Sequence, residues 1–349
     1  PEPTSPPRVC LDPSLSVADD ADRDGLHDGC EQDLAERFAP VIYHSSSEDR
    51  WPVNVDWYLS RSALAIADPR CDKNRRERLV PQPTQAQLIA AQEPACGEDE
   101  GTLLKSAGTR SRNKEQTFYL EDVPSALRNG STTPSDWRTY VQAYPNEIGG
   151  VTLQYWRLYA YHRDDLLNNY GGEWVGFHVV LNHHEQPQQL ILLNDKFEPQ
   201  PWEQVQLEDE RPVLFVKPGS HNLQLKPDKI GAKGCGSFLG LGCNLDVAKP
   251  ATHVRQETHT DGAIRWFDGQ ESPSAGLIQV GRKEHPLNGQ DFIAYSGLWG
   301  SLGRLYNTSG FWGPAFHHVA RRPDGGITAW GAGWRGIPQS ELFPWAESP

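Results

Sequence analysis

Residues 151–162, Val-Thr-Leu-Gln-Tyr-Trp-Arg-Leu-Tyr-Ala-Tyr-His, and residues 173–182, Glu-Trp-Val-Gly-Phe-His-Val-Val-Leu-Asn, decide the fold class. The first stretch is β-branched and aromatic, a composition that fits a pleated surface. The second alternates with a period of two: Val175, Phe177, Val179 and Leu181 fall on one face, Trp174, Gly176, His178 and Val180 on the other. Further runs of strand character follow at 189–193, 212–217, 263–267 and 327–330, with Gly and Pro between them. Many short strands with few helices between them argue for a mainly β protein, an antiparallel β-sandwich rather than βαβ units. No repeat of fixed period is present, so a propeller is not expected.

Helical signals are short and peripheral. Residues 31–38 read as a short helix, 56–67 as a second, and 85–92 as a third with Thr84 as its N-cap. Thr133 followed by Pro134 is the signature of a helix start and points to a fourth over 137–144. Residues 93–116 are polar and read as loop, and the Pro- and Ser-rich residues 1–18 as an extended lead-in. The expected organisation is an N-terminal arm over 1–40 and one β-sandwich body over 41–349 with helical and loop insertions.

Within the arm, residues 20–31 read Asp-Ala-Asp-Arg-Asp-Gly-Leu-His-Asp-Gly-Cys-Glu. Asp20, Asp22, Asp24, Asp28 and Glu31 occupy positions 1, 3, 5, 9 and 12 of a calcium loop, Gly25 the sharp turn at position 6, and Leu26 the carbonyl position 7. A hard cation needs several oxygens around one point, and this spacing supplies them. No good helix precedes the loop, so this is half of an EF-hand. It resembles the calcium loops of thrombospondin type 3 repeats, including the Cys just before the final acid. A structural Ca2+ pinning the arm to the body is the expectation.

The chain has 349 residues, 37% of them hydrophobic, and a formal net charge of −13. Such a surface repels nucleic acid and an anionic leaflet. The six cysteines fall into three pairs close in sequence, Cys10 with Cys30, Cys71 with Cys96 and Cys235 with Cys243. Fifteen connectivities are open to six cysteines, and spacing alone does not choose among them. An even count, a calcium loop and no CxxC of zinc type fit an oxidising, extracellular compartment and a secreted protein. A chain that opens on Pro1 and contains no Met suits a mature form whose signal peptide is gone. No stretch approaches a membrane span. There is no HExxH, no GxSxG elbow and no Walker loop, which sets aside zincins, ordinary α/β-hydrolases and P-loop enzymes.

Several stretches together resemble the family named after vacuolar protein sorting-associated protein 62: Gln154-Tyr155-Trp156 with Tyr159-Ala160-Tyr161, Gly171-Gly172-Glu173-Trp174, Arg211-Pro212-Val213-Leu214-Phe215-Val216 with Gly219-Ser220-His221, Tyr295-Ser296-Gly297-Leu298-Trp299-Gly300, and Gly313-Pro314. That family is distantly similar to the necrosis-inducing, cytolysin-type secreted proteins. The resemblance implies a β-sandwich, an acidic metal pocket and binding to sphingolipid head groups. The acid-Trp-acid tripeptide of those proteins appears here as Glu173-Trp174-Val175, with Val175 in place of the second acid. That departure weakens the case for an inherited metal pocket.

Candidate polar groups beside this tripeptide are His162, Asp164, Asp165, Glu173, His178 and His221. Two functional readings of different class follow. In the first, the protein binds a surface glycan or lipid head group through exposed aromatics, with Trp174, Trp299 and Trp312 as candidates and peripheral, toxin-like membrane contact as one version. In the second, it is a secreted hydrolase acting on a polysaccharide, with Asp165 and Glu173 as the acid–base pair and His178 or His221 in support. A structural module of a cell envelope is a third, plainer reading.

Overall fold

The computed structural model describes residues 10–11, 16–45, 49–68, 75–90, 117–146, 148–163, 169–193, 199–217, 219–226, 253–255, 276–295, 297–301, 310–311, 313–314, 320–321 and 327–328. The first elements are α1 (Asp28–Arg37), β1 (Val41–Ser45), β2 (Pro52–Val53), α2 (Val55–Leu59), β3 (Ala63–Asp68), β4 (Arg75–Pro81), α3 (Gln85–Ile89) and β5 (Thr117–Leu120). Then come the central strands β6 (Thr139–Pro145), β7 (Val151–Arg163), β8 (Asn169–Leu181), β9 (Pro187–Leu192) and β10 (Pro199–Pro201). Next are β11 (Leu207–Glu208), β12 (Arg211–Val216), β13 (Leu223–Gln224), β14 (His253–Arg255) and β15 (Leu277–Gln279). The fold is mainly β, as the alternation in 151–182 requires.

The central sheet runs in the order β10-β9-β8-β7-β6-β15, with β2 also on β7. Its spine is the antiparallel pair β7–β8, in register from Thr152 opposite Val180 to Arg163 opposite Asn169. A second sheet has the order β11-β12-β1-β14, with β13 on β12, and a third the order β4-β3-β5. Two pairings depart from the purely antiparallel expectation: β1 lies parallel to β12, and β15 parallel to β6.

Both faces of the central sheet are buried, which is why β7 and β8 carry large apolar residues on both. One face packs Leu153, Tyr155, Phe177 and Val179 against Leu34 and Ala35 of α1, Phe38 at its C-cap, and Ile42 and Leu214 of the second sheet. The other packs Trp156, Leu158 and Trp174 against Tyr58 of α2, Leu64, Phe118 and Trp299. The sheets thus stack as a sandwich with a third layer on the far side. Tyr155 fixes α1 by donating its hydroxyl to the Ala35 carbonyl at 2.9 Å.

The helix at Gln85–Ile89 has the expected cap: Thr84 and Gln87 form a reciprocal capping box. Two other helical expectations are corrected. Residues 137–144 lie largely in strand β6, paired to β7 from Tyr140 opposite Trp156 onward, and only Pro134–Asp136 turns as a short 3-10 helix. The helix expected over 56–67 stops at Leu59, and Ala63–Asp68 is a strand between β4 and β5. Of the expected later strands, 263–267 lies outside the described residues, and Ile327–Thr328 pairs with Ala320–Arg321. The loop expected over 93–116 also lies outside them.

Candidate functional site

The acidic loop closes on itself. Asp20 accepts from the Asp24 amide at 3.0 Å and the Gly25 amide at 2.9 Å, Asp24 accepts from the Leu26 amide at 2.8 Å, and Asp28 accepts from the Ala21 amide at 3.1 Å. Gly25 supplies the left-handed turn at φ +89°. These bonds draw carboxylate oxygens of Asp20, Asp22 and Asp28, and of Asp22, Asp24 and Glu31, to within 4.8 Å of one another. Asp22 is 1% exposed and Glu31 3%. Both oxygens of Asp22, Oδ2 of Asp24 and Oε2 of Glu31 are buried and meet no donor among the described residues.

The electrostatic consequence is large. Burial, then the charges of Asp20 and Asp28, pushes Asp22 up to about 7. Burial and the charge of Asp22 push Asp24 up to about 8. Burial, then Asp24 and Asp22, holds Glu31 well above its ordinary value. Buried carboxylates facing one another without donors are the donor set a hard cation neutralises. These acidic clusters can hold a metal ion. Leu26 is fully buried and bridges Leu11. The loop is tied to the body through Arg282, whose Nη1 donates to the Arg23 carbonyl at 3.0 Å, and through the Cys10–Cys30 disulfide. The other two cysteine pairs lie outside the described residues.

A second buried polar group forms where β7, β8 and the turn after β12 meet. Glu173 Oε1 lies 2.6 Å from His162 Nδ1, and its Oε2 lies 2.5 Å from His221 Nδ1. All three side chains are buried. Tyr159 stacks on His221 at 3.9 Å between centroids, and Tyr170 on His162 at 4.4 Å. Burial pushes the Glu173 carboxyl up, but the charges and hydrogen bonds of the two histidines outweigh it and hold it below its ordinary value. An ionised carboxylate only accepts, so both Nδ1 atoms carry hydrogens. His221 Nε2 is buried and meets no partner among the described residues. Backbone strain marks the same place: His221 has φ +51° without being Gly. Gly172 has φ +62°, and a Cβ there would collide with the Trp299 carbonyl.

Sequence reasoning brought His162, Glu173 and His221 into one group, and the structure holds them together. It does not bring in His178. That residue lies five positions beyond Glu173, on the opposite face of β8, where its Nε2 lies 3.0 Å from Gln154 Nε2 and Tyr144 packs edge-on. Asp164, Asp165 and Trp312 lie outside the described residues. The aromatics expected at a binding surface are corrected: Trp174 is 4% exposed and Trp299 0%. They pack edge-to-face at 5.1 Å in the core, where no ligand can stack on them.

Several buried polar neighbours and a cleft were missed. Arg157 and His44 extend the buried polar seam, with Arg157 Nη1 3.5 Å from His44 Nε2. Burial lowers Arg157 to about 10. The signal was available, since an arginine inside a long apolar strand must have a reason. At the outer end of the same strands a cleft of about 310 Å³ is lined by Arg50, Ser125, Arg128, Asn129, Tyr161, Arg163 and Asn169. These residues come from distant parts of the chain, so spacing could not reveal them.

No family model matches the chain, and no curated protein does. The resemblance to the vacuolar protein sorting-associated protein 62 family is therefore unsupported. Among solved structures, one described as NLPPya in complex with glucosamine aligns at 12% identity over 75% of this chain and 78% of that one, with a TM-score of 0.33. A structure described as a toxin fold as basis for microbial attack and plant defense aligns at 13% identity over 82% and 85%, with a TM-score of 0.34. Necrosis and ethylene inducing protein 2, from the causal agent of cocoa's witches' broom disease, aligns at 15% identity over 55% and 67%, with a TM-score of 0.30. Necrosis-inducing, toxin-fold proteins are thus among the solved structures that align, in keeping with the second half of the sequence resemblance. At such TM-scores the likeness carries no argument about ligand or activity here.

Proposed function

We propose that this chain is an extracellular protein whose β-sandwich is stabilised by one Ca2+ in residues 20–31 and which binds a surface glycan or lipid head group. The carrying observation is the convergence of Asp20, Asp22, Asp24, Asp28 and Glu31, with buried oxygens of Asp22, Asp24 and Glu31 that meet no donor among the described residues. An all-oxygen, carboxylate-rich set suits Ca2+ better than Mg2+, which keeps its waters and demands an octahedron. The ion would stiffen the arm and, through α1 and Arg282, the body beside it.

Binding is favoured over hydrolysis by the state of Glu173. A glycosidic acid or base must reach its substrate. Glu173 is enclosed, and both its oxygens are engaged by histidines. A carboxylate so occupied braces a surface, and the cleft beside it is where a ligand fits.

The test has two parts. Calorimetric titration of the chelated full chain with Ca2+ and with Mg2+ is expected to give one tight site for Ca2+ and weaker Mg2+ binding. Retention on immobilised glycans and on lipid vesicles then tests the ligand class. An absence of Ca2+ binding overturns the first half of the proposal, and an absence of retention on either surface overturns the second.

A further inference from the structure

We infer that the turn joining β8 to β9 is a second metal site, distinct in chemistry from the acidic loop: His183, His184 and Glu185 take one divalent transition ion, Cu2+ ahead of Zn2+. The inference stands apart from the proposed Ca2+ loop and from the reading of the protein as a surface-group binder.

Adjacent histidines on a strand point to opposite faces and cannot share an ion. His183 and His184 do not lie on a strand, because β8 ends at Leu181 and β9 begins at Pro187. Between them the chain reverses. The Asn182 carbonyl accepts from the Glu185 amide at 2.9 Å, and the Asn182 amide donates to the Gln186 carbonyl at 3.0 Å. The Asn182 side chain closes the turn from within, its Oδ1 accepting from the amides of His184 at 2.9 Å and Gln186 at 3.1 Å. Glu185 completes the reversal on left-handed backbone at φ +58°. The reversal brings the two imidazoles together, with ring centroids 3.8 Å apart. Both residues are exposed. Neither ring makes a hydrogen bond or an ion pair among the described residues, so the nitrogens are open to an ion. Imidazole suits Cu2+ and Zn2+, and a nitrogen and oxygen set holds Cu2+ the more tightly of the two.

The third donor is Glu185, which is half-buried. Its Oε1 lies 2.8 Å from Cys10 Sγ and 3.9 Å from Cys30 Sγ. Bridged sulfurs carry no hydrogen, so this contact gives the carboxylate no donor. Arg37 feels the charge of Glu185, but its Nε and Nη2 are bonded to Glu210 at 2.7 Å each. A carboxylate pressed against sulfur beside two open imidazoles gains from a cation. The turn forms one rim of a cleft of about 610 Å³, whose other walls include Leu34 of α1 and Gly149, Gly150 and Val151. The cleft gives the ion and its remaining waters room. The backbone of the turn is bonded in place before binding, which lowers the ordering cost. Because Glu185 rests on the bridge that closes the arm, an ion here would fasten arm to body.

The experiment titrates the untagged full chain with Cu2+ and with Zn2+ by calorimetry, at low and at saturating Ca2+, and records the electron paramagnetic resonance spectrum of the Cu2+ form. One site is expected, tighter for Cu2+ than for Zn2+, indifferent to Ca2+, with hyperfine structure from two nitrogens. His183→Ala and His184→Ala are each expected to weaken Cu2+ by at least about tenfold, since even an outer partner of a metal ligand is worth about 10- to 100-fold. Both should melt like the wild type when no Cu2+ is present, because the rings are exposed. Glu185→Gln is expected to weaken Cu2+ by about tenfold with the two-nitrogen pattern kept. No saturable binding, a one-nitrogen spectrum, or any of the three variants binding like the wild type overturns the site. So does a Cu2+ affinity that falls as Ca2+ is raised, which would put the ion in the acidic loop. Each of these failures leaves the Ca2+ loop and the surface-group reading standing.

Discussion

His221 Nδ1 lies 2.5 Å from Glu173 Oε2, and the residue that makes this contact sits on left-handed backbone at φ +51°. The contact joins β8 to the turn after β12 and so ties two sheets together at one end of the sandwich. Breaking a buried ion pair by removing one charge costs about 3–5 kcal/mol. Glu173→Gln keeps the shape and loses the charge, so a stability loss of about 3 kcal/mol is expected, read as a lower urea midpoint at unchanged slope. A midpoint within error of the wild type would show that the histidines are neutral bystanders rather than partners.

Chelation should lower the melting temperature. A ligand at a hundredfold excess over its dissociation constant stabilises the folded state by about 2.7 kcal/mol, and a chelator removes that contribution. Asp22→Ala should mimic chelation when Ca2+ is present. In chelator the sign reverses: Asp22 is a buried carboxylate facing Asp20 and Asp28, so its removal relieves repulsion. The chelated variant is expected to melt no lower than the chelated wild type. Scanning calorimetry of both proteins in both conditions decides it, and a variant destabilised equally in the two conditions contradicts a metal role for Asp22.

Much of this was legible in local sequence, and what was not has a common cause. The loop over 20–31 could be read because its acids are near neighbours whose spacing is itself the geometry. The Thr84 cap could be read for the same reason. Residues 137–144 misled: Thr133-Pro134 does start a turn, but Tyr140, Gln142 and Tyr144 then pair with β7, and sheet pairing overrides a local start signal. Trp174 and Trp299 misled because an aromatic in sequence carries no sign of which layer will cover it. His178 was grouped with Glu173 although an odd offset along a strand puts the two on opposite faces. His221 meets Glu173 across 48 residues, a contact that no period or spacing encodes.

The pH dependence of stability should change sign with the metal. In the chelated protein Asp22 and Asp24 are raised from 3.8 to about 7 and about 8. At pH below 3.8 both are protonated in the folded and the unfolded chain, and they contribute nothing. As pH rises, the unfolded chain ionises first, which favours unfolding, and the loss grows until the folded pKa values are passed. The chelated protein should therefore lose stability between about pH 4 and pH 8 on account of this loop. Glu173 works the other way: its carboxyl is held low, so its contribution is present above the ordinary glutamate range and fades as pH falls through the folded value. Saturating Ca2+ removes the first effect and leaves the second. Urea midpoints across this range, with and without chelator, check it, and two parallel profiles would contradict the loop as the source.

Reduction of the arm should weaken metal binding as well as stability. Cys10 and Cys30 are bonded at a separation of 20 residues, for which chain entropy gives a stabilisation of about 3 kcal/mol. The bond also holds the loop shut. The Cys10 carbonyl accepts from the His27 amide at 3.0 Å, Leu11 bridges Leu26, and Cys30 directly precedes Glu31. Glu31 itself rides on α1, which Leu34, Phe38 and the Tyr155 hydroxyl anchor to the sheet regardless of the bridge. The first half of the loop is held against that fixed acid by the disulfide, by Arg282 and by bonds to the start of α1, where the Asp28 amide donates to the Asp19 carbonyl at 2.8 Å. The double variant Cys10→Ser with Cys30→Ser should therefore bind Ca2+ more weakly by about tenfold or more, since the ion must now order residues that were ordered in advance. Calorimetric titration measures it. An affinity equal to that of the wild type would mean that Arg282 and the packing of α1 suffice to shape the site.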